Sequence, residues 1–131
     1  MKLNTKIRYG LRALIEINTE GDLGLLQKDI AERQKISIKY LDPIIAALKV
    51  KGLIRNVKGK KSGYILAKSA DEISVYDVYC AFEPELAIVE CLQEPNTCDL
   101  HGKCLVNGYW DELNRDIKNS MQQQKLKDFF K

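Results

Sequence analysis

The sequence predicts a mainly α fold with a small β-hairpin wing, a winged helix-turn-helix followed by a C-terminal dimerisation helix. Three observations predict it. Apolar residues recur at helical spacing in three successive stripes over the first half of the chain. Two short strand-like runs follow, joined by a glycine-containing basic turn. Charge is divided along the chain: residues 1–68 hold 15 Lys and Arg against 6 Asp and Glu, and residues 69–131 hold 6 against 12.

The first stripe is Leu3, Ile7, Leu11, Leu14 and Ile15. It marks a helix of roughly four turns that ends between Asn18 and Gly24, where Gly21 and Gly24 punctuate the chain. A second, short helix is expected over residues 27–34, with Ile30 and Ala31 facing inward. Ser37 is a good N-cap for a third helix that carries Leu41, Ile44, Ile45 and Leu48 and is closed by Gly52. Pro43 fits this helix in two ways. Either the helix starts at Ser37 and Pro43 removes one backbone bond, or Asp42 is a second cap and Pro43 is the first helical residue. Residues 53–57 and 64–67 read as strands flanking the turn Lys58-Gly59-Lys60-Lys61-Ser62-Gly63, with a third strand near residues 23–26. Helix, helix-turn-helix and hairpin, in that order, make residues 1–68 a winged helix.

Residues 69–131 form a helical dimerisation region. A helix is expected over residues 71–82, with Val75, Val78, Tyr79 and Phe82 on one face, ended by Pro84. A loop over residues 92–103 leads to a last helix with Val106, Trp110, Leu113, Ile117 and Met121 in one stripe. That stripe is long for the little chain left to pack against it. The same helix of a second copy is expected to cover it; folding back on its own domain is the other way to bury it.

The basic half is the footprint of a protein that binds a polyanion, because each cation near a phosphate releases condensed counterions. A solvated basic face is the plain alternative. In a helix-turn-helix the second helix enters the major groove with its N-terminal residues against base edges, here Ser37, Lys39, Tyr40 and Asp42. Lys39 can donate to guanine, and Asp42 can accept from the cytosine amino group. Tyr40 can equally belong to the core or meet a phosphate. Lys58, Lys60 and Lys61 suit the minor groove or the backbone. Arg8, Arg12 and Arg55 are expected at phosphates, which position without specifying sequence. A homodimer would read a near-palindromic site on double-stranded DNA.

Other classes are disfavoured. The N-terminus lacks the apolar core of a signal peptide, and the longest apolar run, residues 44–48, is too short to span a membrane. A cytoplasmic protein is expected. With His101 as the single histidine, no nucleophile–His–acid set is apparent, and no glycine-rich phosphate loop follows a strand, so an enzyme is not expected.

Three of the four cysteines, Cys91, Cys98 and Cys104, are separated by six and five residues. In a cytosolic chain such a group suggests metal or redox chemistry. The spacing is wider than the paired cysteines of most structural zinc sites, and thiolates are the natural ligands of iron–sulfur clusters. Zinc, or a metal-free thiol or disulfide sensor, stays open on spacing alone. His101, between Cys98 and Cys104, is a candidate ligand or a bystander. Cys80 reads as a small buried residue that could also ligate or pair under oxidation.

The opening run from Met1 to Leu14, MKLNTKIRYGLRAL, resembles the first helix of the Rrf-two family of bacterial winged-helix regulators, whose iron–sulfur branch includes IscR and NsrR. Ile36-Ser37-Ile38-Lys39-Tyr40-Leu41-Asp42 is similar to the family's recognition-helix signature, and Gly52-Leu53-Ile54 and Gly63-Tyr64-Ile65-Leu66 match the segments around its wing. The resemblance covers essentially the whole chain. Val89-Glu90-Cys91 with Asn96-Thr97-Cys98 is similar to the nitric-oxide-sensing NsrR branch. It implies that Cys91, Cys98 and Cys104 hold a 2Fe–2S or 4Fe–4S cluster, and that oxidation, nitric oxide or cluster loss alters DNA affinity. The chain departs from the family in several places. Lys58-Gly59 stands where Arg-Gly is usual, and Pro43 holds a position that IscR uses for base contact. Asn107 stands where IscR has a ligand histidine, and Arg8 where NsrR-type proteins offer an aspartate. A cluster-free member of the family, acting as a thiol or metabolite sensor, is the alternative.

Overall fold

A computed structural model describes residues 2–58 and 63–130. Asn4 starts the first helix, its side chain accepting from the Lys6 N–H at 2.8 Å, and α1 runs over Thr5–Glu20. A one-turn 3-10 helix, Gly21–Leu23, leads into β1 (Leu25–Leu26) and α2 (Gln27–Gln34). Lys35 takes a left-handed conformation (φ 56°) and turns the chain. Ser37 then caps α3 (Ile38–Val50), its hydroxyl oxygen accepting from the Tyr40 N–H at 3.1 Å. Of the two placements for Pro43, the structure has the first: the proline lies inside α3 and denies the Lys39 carbonyl its usual donor. Gly52, at φ 82°, ends the helix with paired bonds, Leu53 N–H to the Leu48 carbonyl and Gly52 N–H to the Lys49 carbonyl, both 3.0 Å.

β2 (Ile54–Asn56) and β3 (Gly63–Leu66) pair antiparallel, with Arg55 opposite Ile65, and β1 adds to the other side of β3 with Leu25 opposite Tyr64. The sheet order is β1-β3-β2. The expected third strand is therefore present, shorter than drawn from sequence.

The helix expected over residues 71–82 begins later, as α4 (Val75–Phe82). Its first expected turn is diverted. The Glu72 N–H bonds the Ser69 carbonyl, and Ile73 and Ser74 lie extended against the C-terminal tail: Leu126 N–H donates to Ile73 at 2.8 Å and Val75 N–H to Gln124 at 2.9 Å. Ser74 and Asp77 form a reciprocal cap at the start of α4. A one-turn α5 (Glu90–Gln93) overlaps the start of the loop expected over residues 92–103, a 3-10 turn (Pro95–Thr97) lies within it, and α6 follows over Asn107–Gln123. Past α6 the chain makes another 3-10 turn, Leu126–Phe129, that returns to the core.

One apolar cluster joins these parts. Ile7, Leu14 and Ile17 of α1 meet Leu41, Ile44 and Leu48 of α3, with Ile73, Val78 and Leu126 in the same cluster. α4 lies between α1 and α6. Gly10 lets α1 approach α4, since a Cβ there would stand 2.9 Å from the Phe82 ring. The α6 stripe is graded: Met121 is buried, Trp110, Leu113 and Ile117 are half-buried, and Val106 is exposed. No helix among the described residues is long and apolar enough to cross a membrane.

Candidate nucleic-acid interface and cysteine loop

Leu41, Ile44, Ile45 and Leu48 fasten α3 to the core, which turns its opposite face outward. That face begins with Ser37, Ile38, Lys39, Tyr40, Asp42 and Pro43, all exposed. Ile38, 51% exposed at the start of the helix, is an apolar group that sequence reasoning left out. Ser37 spends its hydroxyl oxygen on the cap. Tyr40 straddles core and surface, meeting Tyr9 edge to face with ring centroids 5.6 Å apart. Asp42 accepts from the Gln27 side-chain amide, which also donates to the Ile38 carbonyl at 3.4 Å.

Arg8 and Arg55 are exposed, and among the described residues the Arg8 side chain donates to its neighbour Thr5 at 3.2 Å. Arg12 is engaged inside the protein. Its guanidinium lies 4.9 Å from the Tyr9 ring centroid and donates to both the side chain and the backbone carbonyl of Gln34. Gln34 in turn donates to Glu16 at 2.6 Å, and Arg33 pairs with Glu20 at 2.8 Å. This network locks α1 to α2. In the wing, the Val57 N–H donates to the Gly63 carbonyl at 2.9 Å, and Lys58 is exposed at its base. Lys60 and Lys61, with Gly59 and Ser62, lie outside the described residues.

Cys91 is carried by α5, Cys98 follows the 3-10 turn, and Cys104 precedes α6. All three are free and half-buried, whereas His101 is exposed. Among the described residues no three of His, Cys, Asp and Glu stand close enough to hold a metal ion. The loop is nevertheless tied to α6 at two points. The Cys91 thiol donates to the Asn107 side-chain oxygen at 3.6 Å. Asn114 accepts from the Ile88 N–H at 2.9 Å and donates to the Leu86 carbonyl at 3.0 Å. Asn114 escaped sequence reasoning, although a polar residue four positions after Trp110, on the apolar stripe, was a signal. Nothing in the sequence joins Gln27 to Asp42.

Beside this clamp, the hydrogen bond from Lys118 to Glu85 (2.6 Å) holds the Glu85 carboxyl below the usual carboxylate range. Burial pushes the Tyr76 phenol up, even though its oxygen accepts from the Leu86 N–H at 3.2 Å. Cys80 lines a shallow groove with Ala46, Ala47, Val50, Lys51 and Ala81.

An exposed helix-turn-helix with a hairpin beside it defines a winged-helix DNA-binding protein. The sequence matches the Rrf2 family model, described as an iron-dependent transcriptional regulator, over residues 3–131, and the chain belongs to that family. It is a DNA-binding transcriptional regulator. The rrf2 protein of Nitratidesulfovibrio vulgaris is 38% identical over 132 residues, covering 100% of this chain and 88% of the relative. CymR, the global cysteine regulator of B. subtilis, superposes with a TM-score of 0.78 at 26% identity, over 98% of this chain and 95% of that one. IscR of T. potens superposes at 0.76 with 29% identity, over 98% and 85%.

Proposed function

We propose that the chain is a homodimeric regulator whose grip on a near-palindromic operator is controlled by an iron–sulfur cluster held in the loop of residues 91–104. In this reading residues 1–68 read DNA and residues 69–131 dimerise and sense. Lys39 and Asp42 read bases; Ser37, as cap, and Tyr40, through Tyr9, hold the recognition helix; Arg8, Arg55, Lys58, Lys60 and Lys61 meet phosphates or the minor groove.

The observation that carries the sensing half is the set of three free, half-buried thiols in one loop fastened to α6. As a donor set it fits an iron–sulfur cluster, which takes thiolates. Cys91, Cys98 and Cys104 would hold it, and the group would supply reversible redox and nitric-oxide chemistry. Because the thiols stand apart, binding requires the loop to draw in. Asn107 is a poor iron ligand beside Cys91, and exposed His101 is a candidate fourth donor within the loop. The chain's own part is mechanical: as a cluster ligand Cys91 would be a thiolate and would give up its donation to the Asn107 side-chain oxygen, which changes how the loop holds the N-terminal end of α6. That biases the spacing of two reading heads joined through α6.

The test is anaerobic purification with a visible spectrum and iron and sulfide analysis. Bound iron and sulfide, lost together in Cys98→Ala, support the reading; colourless, iron-free protein after reconstitution overturns it. A second reading, a cluster-free thiol or metabolite sensor, is favoured by the ungathered thiols and the likeness to CymR. It predicts DNA binding that responds to thiol oxidation in iron-free protein.

A further inference from the structure

We infer that Gln27, outside the recognition helix, sets the base preference of that helix by holding Asp42; the inference rests on Asp42 reading a base. An exposed aspartate can turn about its side-chain torsions and accept from many donors. Asp42 does not have that freedom. The Gln27 amide donates to its Oδ1, and the same amide nitrogen lies 3.4 Å from the Ile38 carbonyl, so one side chain spans the first turn of α3 and the carboxylate one turn later. Gln27 is itself half-buried as the first residue of α2, seated between β1 and the core residues Ile30 and Ala31. The clamp therefore has a rigid base.

The chemistry of the partner matters as much as its position. No Lys or Arg pairs with Asp42 among the described residues. A neutral amide fixes one oxygen without cancelling the charge. The other oxygen stays an anionic acceptor on an exposed residue. Such a group favours the amino groups of cytosine and adenine and repels the acceptor edges of guanine and thymine. Pinning sharpens that choice, because a pinned carboxylate cannot swing away from an acceptor.

The experiment uses the full chain, purified anaerobically. Its preferred site is first obtained by selection from a pool of random DNA duplexes. Affinities are then measured for that site with each base pair varied in turn, for the unchanged protein, Gln27→Ala, Asp42→Ala and the double variant. Asp42→Ala should flatten the preference at one position of each half-site. Gln27→Ala should reduce the preference at that same position on the order of fivefold, the scale of one hydrogen bond. The double variant should lose no more than Asp42→Ala alone, since both act through one group. Gln27→Glu, which sets a carboxylate against Asp42, should flatten the same position, and any uniform repulsion from DNA cancels in the ratio. Unchanged preference in Gln27→Ala, or equal weakening on every sequence, overturns the inference while base reading by Asp42 stands. An Asp42→Ala protein with unchanged preference at every position overturns that reading too.

Discussion

Leu126→Ala is the sharpest test of how the C-terminal segment is joined to the winged helix. Leu126 lies beyond the last long helix, yet it is 1% exposed and belongs to the same apolar cluster as Ile17, Leu48 and Ile73. Its backbone is fixed as well, through Leu126 N–H to Ile73 and Lys127 N–H to Ala70 at 3.2 Å. Those bonds survive truncation of the side chain, so the cavity cannot collapse freely. Truncating a fully buried leucine costs about 2–5 kcal/mol, and the anchored backbone argues for about 3 kcal/mol. For a chain of this size that corresponds to a fall of roughly 10 °C in melting temperature. The assay is urea and thermal unfolding followed by circular dichroism, at one protein concentration because dimerisation would shift the midpoint. The whole transition should move as one. A loss under about 1 kcal/mol, or a second transition that leaves the wing folded, would refute the shared core.

Four further outcomes follow from single side chains. Ser37→Ala should cost about 1 kcal/mol of stability, and Ser37→Asp should restore most of it, both read by urea unfolding, because the hydroxyl oxygen caps α3. Lys39→Ala should weaken the selected site by about 1–3 kcal/mol and random DNA much less; equal losses in competition binding would remove it from base reading. Asn114→Ala strips partners from the Ile88 N–H and the Leu86 carbonyl, so amide exchange over residues 86–104 should quicken. Burial raises the Tyr76 phenol above its ordinary value of about 10. A raised folded-state pKa gives stability that is complete below the unfolded value and lost as pH rises through the folded one. Unfolding midpoints should therefore fall more steeply above about pH 10 than those of Tyr76→Phe.

The winged helix was largely legible because its signals are local. Stripes at helical period, Ser37 before α3 and Gly52 after it each act within a few residues, and each lies where the sequence placed it. Pro43 was ambiguous because its fixed φ suits either placement, at the loss of one backbone bond in the first; the structure keeps one continuous helix with Leu41 and Ile44 both buried. The start of α4 was misplaced for the opposite reason. Asp71 to Ile73 have nothing against a helix locally, but Ile73 and Ser74 pair with a segment 50 residues downstream. The engagement of Arg12 and the Gln27–Asp42 bond are likewise pairings between helices. A one-dimensional pattern carries no trace of them. Net charge could not tell Arg12, bound to Gln34, from exposed Arg8 and Arg55.

The same long-range pairings bear on how a signal in the cysteine loop could reach DNA. Under the proposed function the loop holds the front of α6 through Asn114, and through Cys91–Asn107 only while that thiol keeps its proton, while the rear of α6 is anchored by buried Met121 and the returning tail at Leu126. A helix held rigidly at its rear and adjustably at its front is a lever, and its exposed front is where Val106 and Tyr109 leave apolar surface open to a second copy. Movement of the loop would then alter the dimer contact more than the winged-helix core. Asn114→Ala separates this account from one in which the cluster acts on the reading helix directly. It should uncouple DNA affinity from the state of the loop while leaving binding to the selected site intact. If DNA affinity still tracked the loop in that variant, as measured by operator binding before and after thiol oxidation or iron loss, the lever would not be the route.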